Sequence, residues 1–134
     1  MNWDEYFMNI CHVVKLRSKD IKKKVGACLV DKNNKIISTG YNGLKAGSND
    51  NIDWNDRILV HTLIIHAEMN LLLYANSNFK DAKLYTTLSP CHQCIKLIVC
   101  SNIDTIIFES KYKDYDEVKK ICDFYNIQLI QFKK

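Results

Sequence analysis

The sequence predicts an α/β fold with a mixed five-stranded sheet layered between helices, and three observations carry that expectation. In the second half of the chain, short apolar β-rich runs alternate with longer runs of helical period, the pattern of parallel strands joined by crossover helices. In the first half, "VGACLVD" and "KIISTGY" are β-rich and separated only by "KNN", which reads as a hairpin and makes the sheet mixed. The length of 134 residues is near the usual domain size, so residues 1–134 are expected to form a single domain.

Each element has its own signal. Trp3, Phe7, Ile10, Cys11 and Val14 recur at helical spacing, which predicts an amphipathic helix over residues 3–17. After the hairpin, "NGLKAGSNDNIDWNDR" is rich in Gly, Asn and Asp and reads as a long loop, often a functional feature in a compact domain. Then follow a helix in "HAEMNLLLYAN", a strand in "KLYTTL", a helix in "CHQCIKLIVCSN" and a strand in "DTIIF". A helix in "YDEVKKICDFYN" and a strand in "IQLIQF" complete the order αββαβαβαβ. "LIIHAEMNLLLY" is apolar around most of its circumference, so it is buried in the core or against a partner.

Composition narrows the class of function. With 47% apolar and 25% charged residues the chain is ordinary for a globular protein. No apolar run approaches the ~20 residues of a membrane span. "MNWDEYF" lacks the basic start and apolar core of a signal peptide, so a cytoplasmic location with no membrane partner is expected. The net charge of +4 comes partly from "KDIKKK" and the final lysines, a solvated surface in the first instance and an attraction for phosphates in the second.

The six cysteines fall into two kinds. Cys11, Cys28, Cys100 and Cys122 sit inside apolar patterns, where cysteine behaves as a small buried hydrophobe. Cys91 and Cys94 follow a proline in "SPCHQC". Proline fixes a helix entry, and the free amides and dipole there favour thiolates, which hold a soft cation. A Cys-x-x-Cys pair by itself is equally a redox dithiol. Residues 66–68, "HAE", supply a histidine and a glutamate at a helix start, weak evidence alone. Joined to "PCHQC" they give one nitrogen and two sulfurs, leaving one tetrahedral position open, as in catalytic rather than structural zinc sites. His-x-Glu followed by Pro-Cys-x-x-Cys is the signature of the zinc deaminases, with the glutamate carrying protons and binding no metal. His92 follows Cys91 directly, so its ring is expected to point away from the site.

With these motifs the chain resembles the cytidine deaminase superfamily, and within it the deoxycytidylate deaminases. The resemblance covers nearly the whole chain. It rests on "RSKDIKKKVGACLV", "GYNG", "HAEMN", "PCHQC" and the stretch "ESKYKDYDE". "GYNG" with "RSKD" is what selects the nucleotide enzymes over their relatives. The resemblance implies a three-layer α-β-α cytidine deaminase-like fold. It implies hydrolytic deamination of dCMP to dUMP and ammonia, with zinc on His66, Cys91 and Cys94 and Glu68 as proton carrier. The Ala67 amide is the expected donor to the ring carbonyl, and the carbonyl near Ser89 the expected acceptor from the amino group. Asn42 is expected to order the deoxyribose or the loop around it, Arg17 to hold the 5′-phosphate, and Tyr112 to wall the mouth. A homo-oligomer is implied, and dCTP and dTTP are candidate effectors.

The chain departs from the pattern in two places. It has Lys45 in "GLKAG" near the place of a usual proline, and Ser89 before "PC", a feature shared with polynucleotide deaminases. Two competing readings follow. Deamination of a base in single-stranded nucleic acid needs a basic channel with stacking aromatics, and the scattered lysines make it the less expected. A zinc-stabilised interaction module with no turnover requires a closed fourth position and a dispensable Glu68. For a second, structural zinc, Cys11, His12, Cys28 and His61 are available without a convincing spacing.

Overall fold

A computed structural model describes residues 1–75 and 79–133. Helix α1 (Trp3–Lys15) begins on Asn2, whose side chain accepts from the Glu5 amide at 2.8 Å and so satisfies a donor that the helix leaves open. Asp4 and Glu5 in its first turn and His12 and Lys15 in its last complement the helix dipole. Strands β1 (Gly26–Val30) and β2 (Ile36–Tyr41) pair antiparallel as the expected hairpin. Its turn is held by the Asp31 carboxylate, which accepts from the amides of Asn33 and Lys35 at 2.8 and 3.0 Å. Asn34 takes the left-handed residue at φ 62°.

The long loop ends in a helix that periodicity does not reveal, α2 (Arg57–Leu63). It has two turns and buries only Val60, so there is no apolar stripe to detect. The local sign is Asp56, whose side chain caps the Leu59 amide at 3.1 Å. Then come α3 (Ala67–Leu73), β3 (Lys83–Leu88), α4 (His92–Cys100), β4 (Thr105–Ser110), α5 (Tyr115–Phe124) and β5 (Gln128–Gln131). Helix α3 stops short of the expected end, and Asn76 lies outside the described residues. Past α4 and α5 the chain turns through the left-handed Asn102 and Asn126.

The sheet order is β2-β1-β3-β4-β5. Strand β1 is antiparallel to both neighbours, and β3, β4 and β5 run parallel, so the sheet is mixed as expected. Alternation along β1 divides the core. Ala27 and Leu29 join Leu84 and Ile106 under α3, α4 and α5, whereas Cys28 and Val30 join Tyr85 and Ile107 under Phe7, Met8 and Cys11 of α1. The result is three layers, α-β-α. Among the described residues no helix is long and apolar enough to cross a membrane.

Two glycines let helices touch the sheet directly. A Cβ on Gly26 would meet the Cys11 carbonyl oxygen at 2.0 Å, and one on Gly40 would meet the Ala67 carbonyl oxygen at 2.3 Å. The second contact sets the first turn of α3 against β2. The pairings Gly26–Tyr41, Ala27–Thr86 and Leu88–Ser110 then gather the start of β1, the end of β2 and the ends of β3 and β4 at one edge of the sheet. Loops at the carboxyl ends of parallel strands are where such sheets bind ligands.

Candidate active site

That edge carries a cavity of about 270 Å³, close to the lower end of the size range for small-molecule sites. Its inner end holds His66, Ala67, Glu68, Ser89 and Cys91, and its mouth Asp20, Lys22, Lys23, Asn42, Arg57, His61 and Tyr112.

His66 is the N-cap of α3 and makes no side-chain cap bond, which leaves its ring free to face Cys91 and Cys94. Its Nδ1 lies 3.5 Å from Cys91 Sγ and 3.4 Å from Cys94 Sγ, and the three donor atoms all fall within 4.8 Å of one another. A tetrahedral zinc with bonds of ~2.3 Å to sulfur and ~2.0 Å to nitrogen spaces such donors ~3.5 Å apart, so these residues fit that ion. Cys91 is the N-cap of α4, and its sulfur accepts from the Cys94 amide at 3.5 Å.

Charge agrees with the geometry. The hydrogen bond from Cys94 and the neighbouring His66 bring the Cys91 thiol down to about 4 against the cost of burial. The bond to Cys91 and burial push the Cys94 thiol up, so one proton is shared between two sulfurs. A dication in place of that proton lets both be thiolates. The bond to Cys91 also raises the His66 pKa, against burial.

Glu68 is buried, at 4% exposure, beside this group. Burial lifts its carboxyl to about 7, against the pull of the adjacent His66 and of hydrogen bonds from its own amide and from Cys94. A carboxyl poised near neutrality both takes and gives a proton at working pH.

The "GYNG" segment makes four sets of contacts, three of them to α3 and the residues leading into it. Gly40 admits Ala67, the Tyr41 carbonyl accepts from Asn70 Nδ2 at 3.0 Å, and Gly43 exchanges two backbone bonds with Ile65, at 3.0 and 2.8 Å. The fourth runs the other way, to the turn before β1. Asn42 Oδ1 accepts from the Val25 amide at 2.9 Å, and its Nδ2 donates to the Lys23 carbonyl at 2.8 Å. Each end of that amide holds backbone, so Asn42 orders the turn before β1, and it also lines the cavity.

The other expected contacts separate. The Ala67 amide donates to no carbonyl among the described residues. Ser89 donates its amide to the Ser110 carbonyl at 2.8 Å, and its hydroxyl accepts from the Tyr112 amide at 2.7 Å. Its own carbonyl accepts nothing among the described residues. Tyr112 stands at the mouth with the Lys23 ammonium 4.8 Å from its ring centroid. His92 turns to Asp114, with Nδ1 and Oδ2 3.1 Å apart.

Arg17 stands apart from this cavity. It is exposed and lines a separate concavity with Lys19, Tyr41, Lys45 and Trp54. The reason is the turn that follows it. Ser18 is buried, its hydroxyl donating to the Asn42 carbonyl at 2.7 Å, so the neighbouring Arg17 faces the opposite side. The mouth instead carries Lys22 and Lys23, from the "KDIKKK" run that offered an attraction for phosphates, with Arg57 and His61, to which the motifs gave no part in the substrate site. Arg57 and His61 belong to α2, and the helix hidden from periodicity hid them too.

Residues 1–110 match the model of a family described as the cytidine and deoxycytidylate deaminase zinc-binding region. Deoxycytidylate deaminase of Homo sapiens is 37% identical over an alignment spanning 100% of this chain and 80% of that protein. A probable deoxycytidylate deaminase of Drosophila melanogaster is 33% identical over 96% of this chain and 71% of that protein. Among solved structures, dCMP deaminase of cyanophage S-TIM5, in complex with dCMP and dUMP, superposes with a TM-score of 0.80 at 22% identity. The overlap covers 96% of this chain and 95% of that one, and it shows the shared fold.

Proposed function

The chain belongs to the cytidine and deoxycytidylate deaminase family, and from that premise we propose that it hydrolyses dCMP to dUMP and ammonia, supplying dUMP for thymidylate synthesis. The observation that carries the reaction is the place of Glu68, a buried carboxyl beside three zinc donors in the lining of a pocket of about 270 Å³. The deoxycytidylate deaminases similar to this chain over its full length support the substrate.

His66 Nδ1, Cys91 Sγ and Cys94 Sγ would hold the zinc, which supplies Lewis acidity that brings a water's pKa from 15.7 toward ~7. The chain's own groups do the rest. The Ala67 amide donates to the ring carbonyl and orients the base. The Ser89 carbonyl accepts from the exocyclic amine and points C4 toward the three ligands. Glu68 takes one proton of the attacking water and delivers it to N3, then takes the second from the hydroxyl now on C4 and gives it to the amine as the C4–N bond breaks, so that dCMP and water become dUMP and ammonia. Burial of Glu68 keeps that proton from bulk water. At the mouth, Lys22 and Lys23 provide positive charge for the 5′-phosphate.

The finer points belong to the same proposal. Ile58, Leu63, Leu73 and Tyr74 leave apolar surface exposed on α2 and at the end of α3, which supports a homo-oligomer. The concavity around Arg17, Lys19 and Lys45 is the cationic feature that supports dCTP and dTTP as effectors. A cytoplasmic site of action is part of the reading.

The test is ammonia release by the zinc-loaded protein from dCMP, CMP, dCTP, cytidine and a short cytosine-containing DNA. Release is expected to be fastest from dCMP. No release from any monomeric cytosine compound would overturn the proposal, and release from DNA alone would replace it.

A further inference from the structure

The mouth of a pocket for a phosphate dianion contains a buried carboxylate, and that is unexpected. Asp20 has a side chain only 5% exposed. Its Oδ1 accepts from the amides of Lys22 and Lys23 at 2.9 and 3.4 Å and from Arg57 Nη1 at 3.0 Å, and its Oδ2 accepts from Arg57 Nη2 at 3.2 Å. Although burial opposes ionisation, the Arg57 guanidinium and the two amides outweigh it and hold the carboxyl below its ordinary range. Arg57 is committed in turn, because the same Nη1 donates to the Trp54 carbonyl at 2.9 Å. The pair cancels its own charge and joins two segments far apart in sequence. One is the turn that carries Lys22 and Lys23; the other is the end of the long loop with α2 behind it.

Resting on the assignment of dCMP as substrate, we propose that Asp20 and Arg57 are positioning residues that set the preference for nucleotide over nucleoside, by fixing Lys22 and Lys23 at the phosphate end without touching the phosphate. The turn is clamped from both sides. Asp20 gathers the amides of Lys22 and Lys23, while Asn42 binds the Lys23 carbonyl and the Val25 amide. Lys23 extends from this turn over the Tyr112 ring, its ammonium 4.8 Å from the centroid. Two flexible lysines on a free turn would spend rotamer and backbone entropy on each binding event, which a preset turn avoids. An inner end built from other elements does not feel this clamp, so its loss falls on the phosphate's contribution.

The experiment compares KM and kcat for dCMP and for deoxycytidine in wild type, Asp20→Asn, Arg57→Ala, Arg57→Lys and the double variant D20N/R57A. Asp20→Asn keeps an oxygen for the two amides and loses only the ion pair. The expected result is a fall of about tenfold in the dCMP over deoxycytidine ratio of kcat/KM for both single alanine and asparagine variants, carried by KM. Arg57→Lys, which keeps the charge but loses the fork, is expected to fall between. The double variant is expected to be no worse than either single one, as for two halves of one device.

A direct Arg57–phosphate contact gives a different pattern. Arg57→Ala then loses selectivity while Asp20→Asn, which frees that cation, keeps or improves it, and this result overturns the proposal. Equal losses on both substrates, with only Tm lowered, overturn it as well by reducing the pair to a structural tie. If wild type turns over dCMP and the ratio does not move in any variant, the inference alone fails. If wild type releases no ammonia from dCMP, the substrate assignment fails and the inference falls with it.

Discussion

At the inner end of the pocket, His66, Glu68, Cys91 and Cys94 come from two short motifs, each placed at the start of a helix. At the mouth, Asp20, Lys22, Lys23, Asn42, Arg57, His61 and Tyr112 come from four separate stretches of chain. The inner end is fixed by local geometry, because a helix start dictates where its cap and first-turn side chains go. The mouth is fixed by bonds between side chains and distant backbone, such as Asn42 to Lys23 and Arg57 to Trp54 and Asp20. Chemistry is therefore local here, and substrate fit is tertiary.

Substitutions sharpen this contrast, and the largest effect lies at the inner end. Glu68→Gln keeps the size of the side chain and all three metal donors, so the zinc content measured by elemental analysis is expected to stay at the wild-type level. Its kcat is expected to fall by ~10²–10⁴, the usual contribution of a general acid–base group, and KM by comparison to change little. A variant that retains zinc and near-wild-type kcat would show that another group moves the proton.

Asn42→Ala tests the mouth. It strips partners from the Val25 amide and the Lys23 carbonyl at once. A buried group left unsatisfied costs about 1–3 kcal/mol, so thermal unfolding is expected several degrees lower, with the kinetic loss on KM for dCMP more than on kcat. A stability effect with KM untouched would mean that the turn at Lys22 and Lys23 has no part in binding.

The smallest effect is expected at Arg17, the cation that the motifs pointed to. Because it faces a separate concavity, Arg17→Ala is expected to change KM for dCMP by less than about twofold in the absence of effector, within the range of a surface substitution. A tenfold rise in that KM would place the phosphate on the Arg17 side.

How far the sequence could be read follows from the range of the interactions involved. The strands and the long helices are legible because burial on one face writes a period into the chain: Ala27 and Leu29 against Cys28 and Val30, or Phe7 and Cys11 along α1. Helix α2 is not legible, since seven residues with one buried side chain leave no period, and its Asp56 cap lies among other Asn and Asp residues. Arg57 and His61 were hidden with it. Asn42 was legible as a residue that orders something, yet its partners, the Val25 amide and the Lys23 carbonyl, lie far from it in the chain.

By itself, then, the sequence determined the layering of the sheet, the chemistry of the zinc donors and the carboxylate that lies beside them. Those depend on spacing within one element, and a helix start converts spacing directly into position. Only the tertiary structure decided which cations line the mouth, that Asn42 holds the turn before β1, and that a buried Asp20 is paired with Arg57. The physical reason is that hydrogen bonds and ion pairs between distant segments leave no period in a sequence, and the sign of a charge does not reveal which way its side chain will face.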